Sequence, residues 1–162
     1  MRFKLSVIIF VLVSASALAT PSFNVGFSPS HTALENVLSV VNNAQSSLDV
    51  EAYTFTSKQI STAIVSAQKR GVNVRVVADA KANRLNYSAI HYLAQQHVPV
   101  RLNNNYSIHH NKVMIADGDT IQTGSMNYTT NGDTHNAENV LVIRGAPEIA
   151  GKYQVEFNRL WA

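Results

Sequence analysis

Two basic residues, an acid and a small polar group stand close together in the second half of this 162-residue chain. They are His110-Asn-Lys112, then Asp117 after four residues, then Gly124-Ser125-Met-Asn127 after six more. These types suit chemistry at a phosphodiester, which needs a nucleophile, a cation against the non-bridging oxygens and neutral donors that fix its orientation. His110 can attack, Lys112 can supply the cation, and Ser125 with Asn127 can donate. The spacing agrees. On a strand, residues two apart share a face, so His110 and Lys112 project together, as do Ser125 and Asn127. Asp117 lies seven residues beyond His110 and would face the opposite way on a regular strand. It reads as an anchor pairing with a neighbouring base or with backbone at a turn, and Gly124 as a structural member of the same group. Alone, His110 and Lys112 would be an ordinary surface pair; the register with Gly124, Ser125 and Asn127 singles them out.

The chain around them alternates helix and strand signals. Thr32-Ala-Leu-Glu35 reads as a capping box opening a helix with Leu34, Val37, Leu38 and Val41 on one face. Leu48, Val50 and Ala52 alternate as in a strand, and Thr56-Ser-Lys-Gln59 opens a second helix that ends at Gly71. Val72, Val74 and Val76 begin a strand that runs to Asp79. A helix is expected over 85–96, a short strand over 98–102 and a polar loop over 103–107. Lys112 to Ala116 and Thr120 to Thr123 form a hairpin through Asp117-Gly118-Asp119. Another strand covers 137–143, and Pro147 starts a last helix with Ile149, Tyr153, Phe157 and Leu160 inward. Interleaved strands and helices imply one α/β domain, its mixed central β-sheet packed by helices on both faces.

The first segment stands apart. Arg2 and Lys4 precede an apolar run from Leu5 to Val13, and Ala17-Leu-Ala19 is a small-x-small cleavage site. This order predicts a secretory signal peptide over residues 1–19, cleaved after Ala19, which leaves a catalytic domain over 20–162 with no stable membrane anchor. The formal charge of +3 then falls by the two charges of Arg2 and Lys4 to +1, so polyanion affinity must come from placement of charge. There is no cysteine, which excludes thiol catalysis, thiolate zinc sites and disulfide stabilisation. His109, His110 and His135 show no helical or turn-based ligand spacing, so neither a metal nor another cofactor is expected. Lys81 and Arg84 follow the strand ending at Asp79 and can meet a phosphate backbone only if that loop flanks the site. Tyr87, Tyr106 and Tyr128 could stack on bases under the same condition.

H-x-K-x4-D with a trailing G-S-x-N resembles the signature of the phospholipase D superfamily. Further segments are similar to its small bacterial Nuc-type endonucleases: the leader, Ala52-Tyr-Thr-Phe-Thr56, Lys69-Arg-Gly-Val72, Asn136-Ala-Glu-Asn139 and the closing 157–161. The resemblance spans essentially the whole chain beyond the leader. It implies a phospholipase D-like fold and a metal-independent phosphodiesterase working through a phosphohistidine, with nucleic acid, DNA and also RNA, as substrate. It also implies that Glu138 holds the second ring nitrogen of His110 and fixes the tautomer. No other histidine is well placed as the acid for the leaving group, although His135 remains open. The resemblance answers with symmetry: a homodimer bringing two copies of His110 across one phosphate. A periplasmic or secreted location follows from the same source. A lipid phosphodiesterase is the alternative, but it would want an exposed apolar surface, and none is obvious in the sequence.

Overall fold

The computed structural model of the protein describes residues 20–162; the leader expected over 1–19 lies outside them. In chain order the first elements are β1 (Ser22–Ser28), α1 (Thr32–Asn43), β2 (Ser47–Ala52), α2 (Lys58–Lys69), β3 (Asn73–Asp79) and α3 (Ala89–Gln95). They are followed by β4 (Val100–Asn103), β5 (Lys112–Ala116), β6 (Thr120–Gly124), α4 (Thr130–Thr134), β7 (Glu138–Arg144) and α5 (Pro147–Trp161).

Among the described residues the strands form one sheet in the order β1-β7-β6-β5-β2-β3-β4. β2, β3 and β4 run parallel, as strands joined by helical crossovers must, while β5, β6, β7 and β1 continue antiparallel. The sheet is therefore mixed. Alternation sorts its side chains into two cores. Leu48, Val50, Met114 and Val142 join Val37, Val41 and Ile64 of α1 and α2 on one face. Val77, Val113, Ile115 and Ile121 meet Phe157 and Leu160 of α5 on the other. Each fully buried aliphatic side chain of this kind contributes about 2 kcal/mol.

Several local expectations shift. β1 was not anticipated: its inward residues are Gly26 and Ser28, while Phe23, Val25 and Phe27 stand 64%, 57% and 57% exposed. That strip is the exposed apolar surface the sequence did not reveal. Thr32 does not cap α1, because its hydroxyl is spent on Phe27, accepting from its N–H (2.8 Å) and donating to its carbonyl (3.0 Å). Ser57, rather than Thr56, caps α2 by accepting from Ile60 N–H at 3.3 Å. α3 begins only after Ser88, whose hydroxyl caps Ile90 and donates to Asn83 Oδ1, holding 80–88 in turns. The stretch after Thr129 holds the short helix α4. In α5, Phe157 and Leu160 are buried and Tyr153 is partly so, whereas Ile149 faces out.

This order places the C-terminal ends of β2, β3 and β6 and the start of β5 and β7 along one edge of the sheet. Ala52 pairs with Lys112, and Gly124 with Val140. Chemistry-bearing residues at the ends of these five strands converge there.

Candidate functional site

Lys112 opens β5 beside Ala52 and is only 5% exposed. Its ammonium donates to the His110 carbonyl at 2.6 Å and lies 3.0 Å from His110 Nδ1. The two side chains thus meet, although His110 precedes the strand in an extended segment and is itself exposed. An ammonium has no acceptor, so Nδ1 faces it as a lone pair and the ring proton sits on Nε2. Tyr53, just past β2, closes one side: its ring centroid is 4.5 Å from that of His110 at 51°, and Lys112 Nζ stands 5.2 Å from its centroid.

This placement moves both protonation equilibria. Burial and then the charge of Lys112 lower the His110 pKa from the usual 6.5, against an opposing pull from Asp79. Burial also lowers the Lys112 pKa from the usual 10.5, partly offset by the charge of Glu138. The imidazole is therefore neutral across neutral pH.

The alternate residues of the same stretch point beneath the sheet and clamp it. His109 is buried, and its backbone N–H donates to Asp79 Oδ2 at 2.8 Å. Asn111 donates to Glu51 Oε2 at 2.7 Å, and His109 Nε2 lies 3.7 Å from the same oxygen. Glu51 and Asp79 were missed from the sequence, as was Tyr53. Their signal was present: Glu51 and Asp79 are carboxylates near the C-terminal ends of strands β2 and β3, flanked by apolar residues, where a buried charge needs a polar partner.

Across the site, Gly124 lets β6 approach β7. A side chain there would place its Cβ 2.1 Å from the Asn139 carbonyl, which instead accepts from Ser125 N–H at 3.1 Å. Ser125 Oγ accepts from Asn139 N–H at 3.1 Å and donates a short bond to Glu138 Oε2. The other oxygen of Glu138 accepts from Asn136 Nδ2 at 2.9 Å. Within the one chain described, Glu138 is not seen in the role expected for it. Both its oxygens are taken by Ser125 and Asn136, it makes no hydrogen bond to His110, and Lys112 occupies the ring nitrogen assigned to it. The β6–β7 register aims Glu138 along the sheet edge at Ser125.

Asn127 does not join Ser125. Its amide oxygen is buried with no hydrogen-bond partner among the described residues, and it borders a hollow of about 390 Å³ with Thr54, Thr56 and Asn136. Asp117 is far away at the other end of β5, where its carboxylate accepts backbone N–H groups of Gln45, Ser46 and Ser47. Burial would raise its pKa, but those bonds and the Ser46 hydroxyl outweigh it and leave the pKa low.

The remaining candidates separate. His31 pairs with Asp133 at 3.0 Å, and His135 Nδ1 contacts Thr134 Oγ1 at 2.6 Å in the exposed end of α4. Tyr128 is fully buried with its hydroxyl on Gln122, so it cannot stack on a base. Tyr87 borders a different hollow, between α2 and α3. Tyr106 shares a groove with His110. Lys81 Nζ reaches the Ser107 carbonyl at 3.5 Å, in the loop leading to His110. Among the described residues no group of three or more His, Cys, Asp or Glu could hold a metal ion, and no helix is long and apolar enough to cross a membrane.

Comparison with known proteins agrees with this geometry. The family described as "Cardiolipin synthase, PLD-like domain" matches residues 37–161. Nuc of Salmonella typhimurium, a phospholipase D family member of solved structure, superposes with a TM-score of 0.86 at 39% identity, covering 88% of this chain and 95% of that one. Phospholipase D of Rickettsia prowazekii is 33% identical over 130 residues, 80% of this chain and 63% of that protein. Mitochondrial cardiolipin hydrolase of Mus musculus is 34% identical over 132 residues, 82% and 59% respectively. The chain thus spans about three fifths of the length of these two curated relatives.

Proposed function

The chain belongs to the phospholipase D superfamily, and on that premise we propose that it is a metal-independent phosphodiesterase that cuts nucleic acid with His110 as nucleophile. One observation carries the reading: a nearly buried ammonium, Lys112, is held against an exposed, neutral imidazole where the ends of five strands meet. Burying a lysine without a carboxylate partner is costly, and an incoming phosphate supplies the missing counter-charge.

The steps follow from the atoms. A phosphate draws Lys112 Nζ from His110 Nδ1 onto a non-bridging oxygen, and the ring proton moves to Nδ1. Nε2 then forms a bond to phosphorus while the P–O bond to the leaving oxygen breaks, its electron pair leaving with that oxygen. An acid gives the oxygen a proton. Water next attacks phosphorus, giving a proton to the group that protonated the leaving oxygen, while the P–N bond breaks and its pair returns to Nε2. Within one chain the other histidines are committed or distant, so the acid is assigned to His110 of a second copy in a homodimer, which takes up a proton when the negative charge of the bound phosphate raises its pKa. Ser125, held by Glu138 and Asn139, lies on the rim as a phosphate donor; Asn127, whose unpartnered atom is an amide oxygen facing a separate hollow, is not assigned to this phosphate.

Nucleic acid is favoured as substrate by the likeness to Nuc over nearly its whole length, and by the Nuc-type segments of the sequence. The periplasm or the exterior is the matching location, reached through the leader. Incubating plasmid DNA with purified protein in EDTA tests this: degradation is expected with the native chain and lost by at least about a thousandfold in His110→Ala. Degradation abolished by EDTA overturns the metal-free mechanism. A monomer mass by light scattering in a fully active sample overturns the shared site.

A second reading has its own support. Phe23, Val25 and Phe27 form an exposed apolar strip on β1, next to β7 and the site edge, and both curated relatives described above carry lipid-hydrolase names. Release of headgroup or phosphatidate from anionic phospholipid vesicles, faster than DNA cleavage and lost in Phe23→Ser/Phe27→Ser, would establish it.

A further inference from the structure

The groove beside His110 has more than a phosphate site needs. It holds about 160 Å³ and is bordered by Tyr106, Ile108, His110, Asn111 and Arg159. Tyr106 is 42% exposed and Ile108 is 50% exposed, both in the loop that delivers His110 to β5. They put a half-exposed aromatic ring and a half-exposed branched apolar side chain on one groove with the reactive histidine.

Tyr106 is also held in place. Arg159 on α5 donates to its hydroxyl, and the guanidinium carbon lies 5.5 Å from the ring centroid. The same guanidinium grips Glu156 through two bonds, Nε to Oε2 at 2.8 Å and Nη2 to Oε1. Its charge is thereby spent inside the ion pair. The groove consequently presents a pinned ring, an apolar side chain and a neutralised cation, a combination unsuited to a second phosphate and suited to a flat, uncharged ring.

We infer that Tyr106, braced by Arg159 and flanked by Ile108, is a stacking platform for the nucleobase next to the scissile phosphate. This rests on the nucleic-acid reading above and deepens it. A pinned ring loses little freedom on stacking, so the platform is ready before substrate arrives. Base–aromatic stacking tolerates any base, so the platform favours single-stranded or frayed nucleic acid without selecting sequence. In an intact duplex the bases face inward and cannot reach the ring.

The test uses two single-stranded oligomers of equal length and equal phosphate count, one carrying bases and one made wholly of abasic sites. The native chain is expected to cleave the base-bearing oligomer with a kcat/KM about tenfold higher, mostly through KM. Tyr106→Ala should cleave both oligomers at the rate the native chain shows on the abasic one, and Tyr106→Phe should keep most of the preference. Equal cleavage of both oligomers by the native chain overturns the platform while leaving the phosphodiesterase intact, and that comparison needs no variant. A Tyr106→Ala chain that loses both activities equally also overturns it, since the ring would then be a prop for His110. Cleavage of neither oligomer by the native chain removes the underlying reading and the platform with it.

Discussion

Strand β5 carries two parts of one sequence motif at opposite ends, and the ends are wired in opposite ways. At its finish, the Asp117 carboxylate receives three backbone N–H groups and a serine hydroxyl, binding the β5–β6 turn to the 45–47 segment. Its bonding capacity is largely used. At its start, Lys112 is nearly buried but hydrogen-bonds only to the His110 ring and carbonyl, with the Tyr53 ring alongside, and His110 Nε2 has no hydrogen-bond partner among the described residues. Its capacity is open. The difference teaches how to divide such a motif. A charged group whose partners are all supplied by the chain holds structure, and one whose partner is missing waits for a substrate.

The strongest way to break this comparison is to remove the open charge. Lys112→Met should lower phosphodiesterase kcat/KM by about 100- to 1000-fold, the range for losing one preorganised donor to a charged transition state. Because the lysine sits desolvated without a carboxylate partner, the same variant should unfold at equal or higher denaturant. A drop in stability would mean that the start of β5 is as structural as its finish.

Asp117→Ala should do the reverse. Losing a carboxylate that satisfies several donors costs about 2–3 kcal/mol in chemical denaturation, while turnover per folded molecule stays within about threefold. The pH dependence adds a sign. The folded Asp117 pKa lies below its unfolded value, so its contribution is complete above about pH 4 and is lost as pH falls through the folded pKa. The stability gap between the native chain and Asp117→Asn should therefore narrow in acid. A gap unchanged down to pH 2 would contradict the charged anchor.

The smallest effect is a shift of the pH profile. The attacking His110 must be neutral, His110 of the second copy must carry the proton it donates, and Lys112 must be protonated; the pKa values of both side-chain types are lowered in the free chain. The acid limb of kcat/KM should lie below 6.5 and the alkaline limb below 10.5, each displaced towards lower pH than for the free side chains. Limbs at or above those values would show that the two groups do not sense each other or their burial.

Much of this was legible in the sequence for a simple reason: alternation is local. The shared direction of His110 and Lys112, the opposite direction of His109, and the hairpin at Asp117 all follow from a two-residue period. The α/β order follows from helical and alternating apolar runs in the same way. What was hidden depends on distant pairing. Glu138 contacts Ser125 instead of His110 because of the β6–β7 register, which no local pattern encodes. β1 escaped because its regular apolar alternation, Phe23, Val25 and Phe27, faces outward, so its inward residues are a glycine and a serine. Glu51 and Asp79 resemble ordinary strand-end charges until the fold brings Asn111 and the His109 backbone over them. Tyr106 and Tyr128 are indistinguishable in sequence, yet one borders the site and the other lies in the core.

The central claim is that His110 itself attacks phosphorus, and trapping that bond tests it most directly. Native protein mixed with a 5′-labelled oligonucleotide, in EDTA, would be quenched in alkali during turnover and mapped by mass spectrometry. The account predicts a base-stable, acid-labile nucleotidyl or phosphoryl group on His110, absent from His110→Ala. Rapid hydrolysis with no adduct on any residue, or an adduct on a residue other than His110, would contradict it.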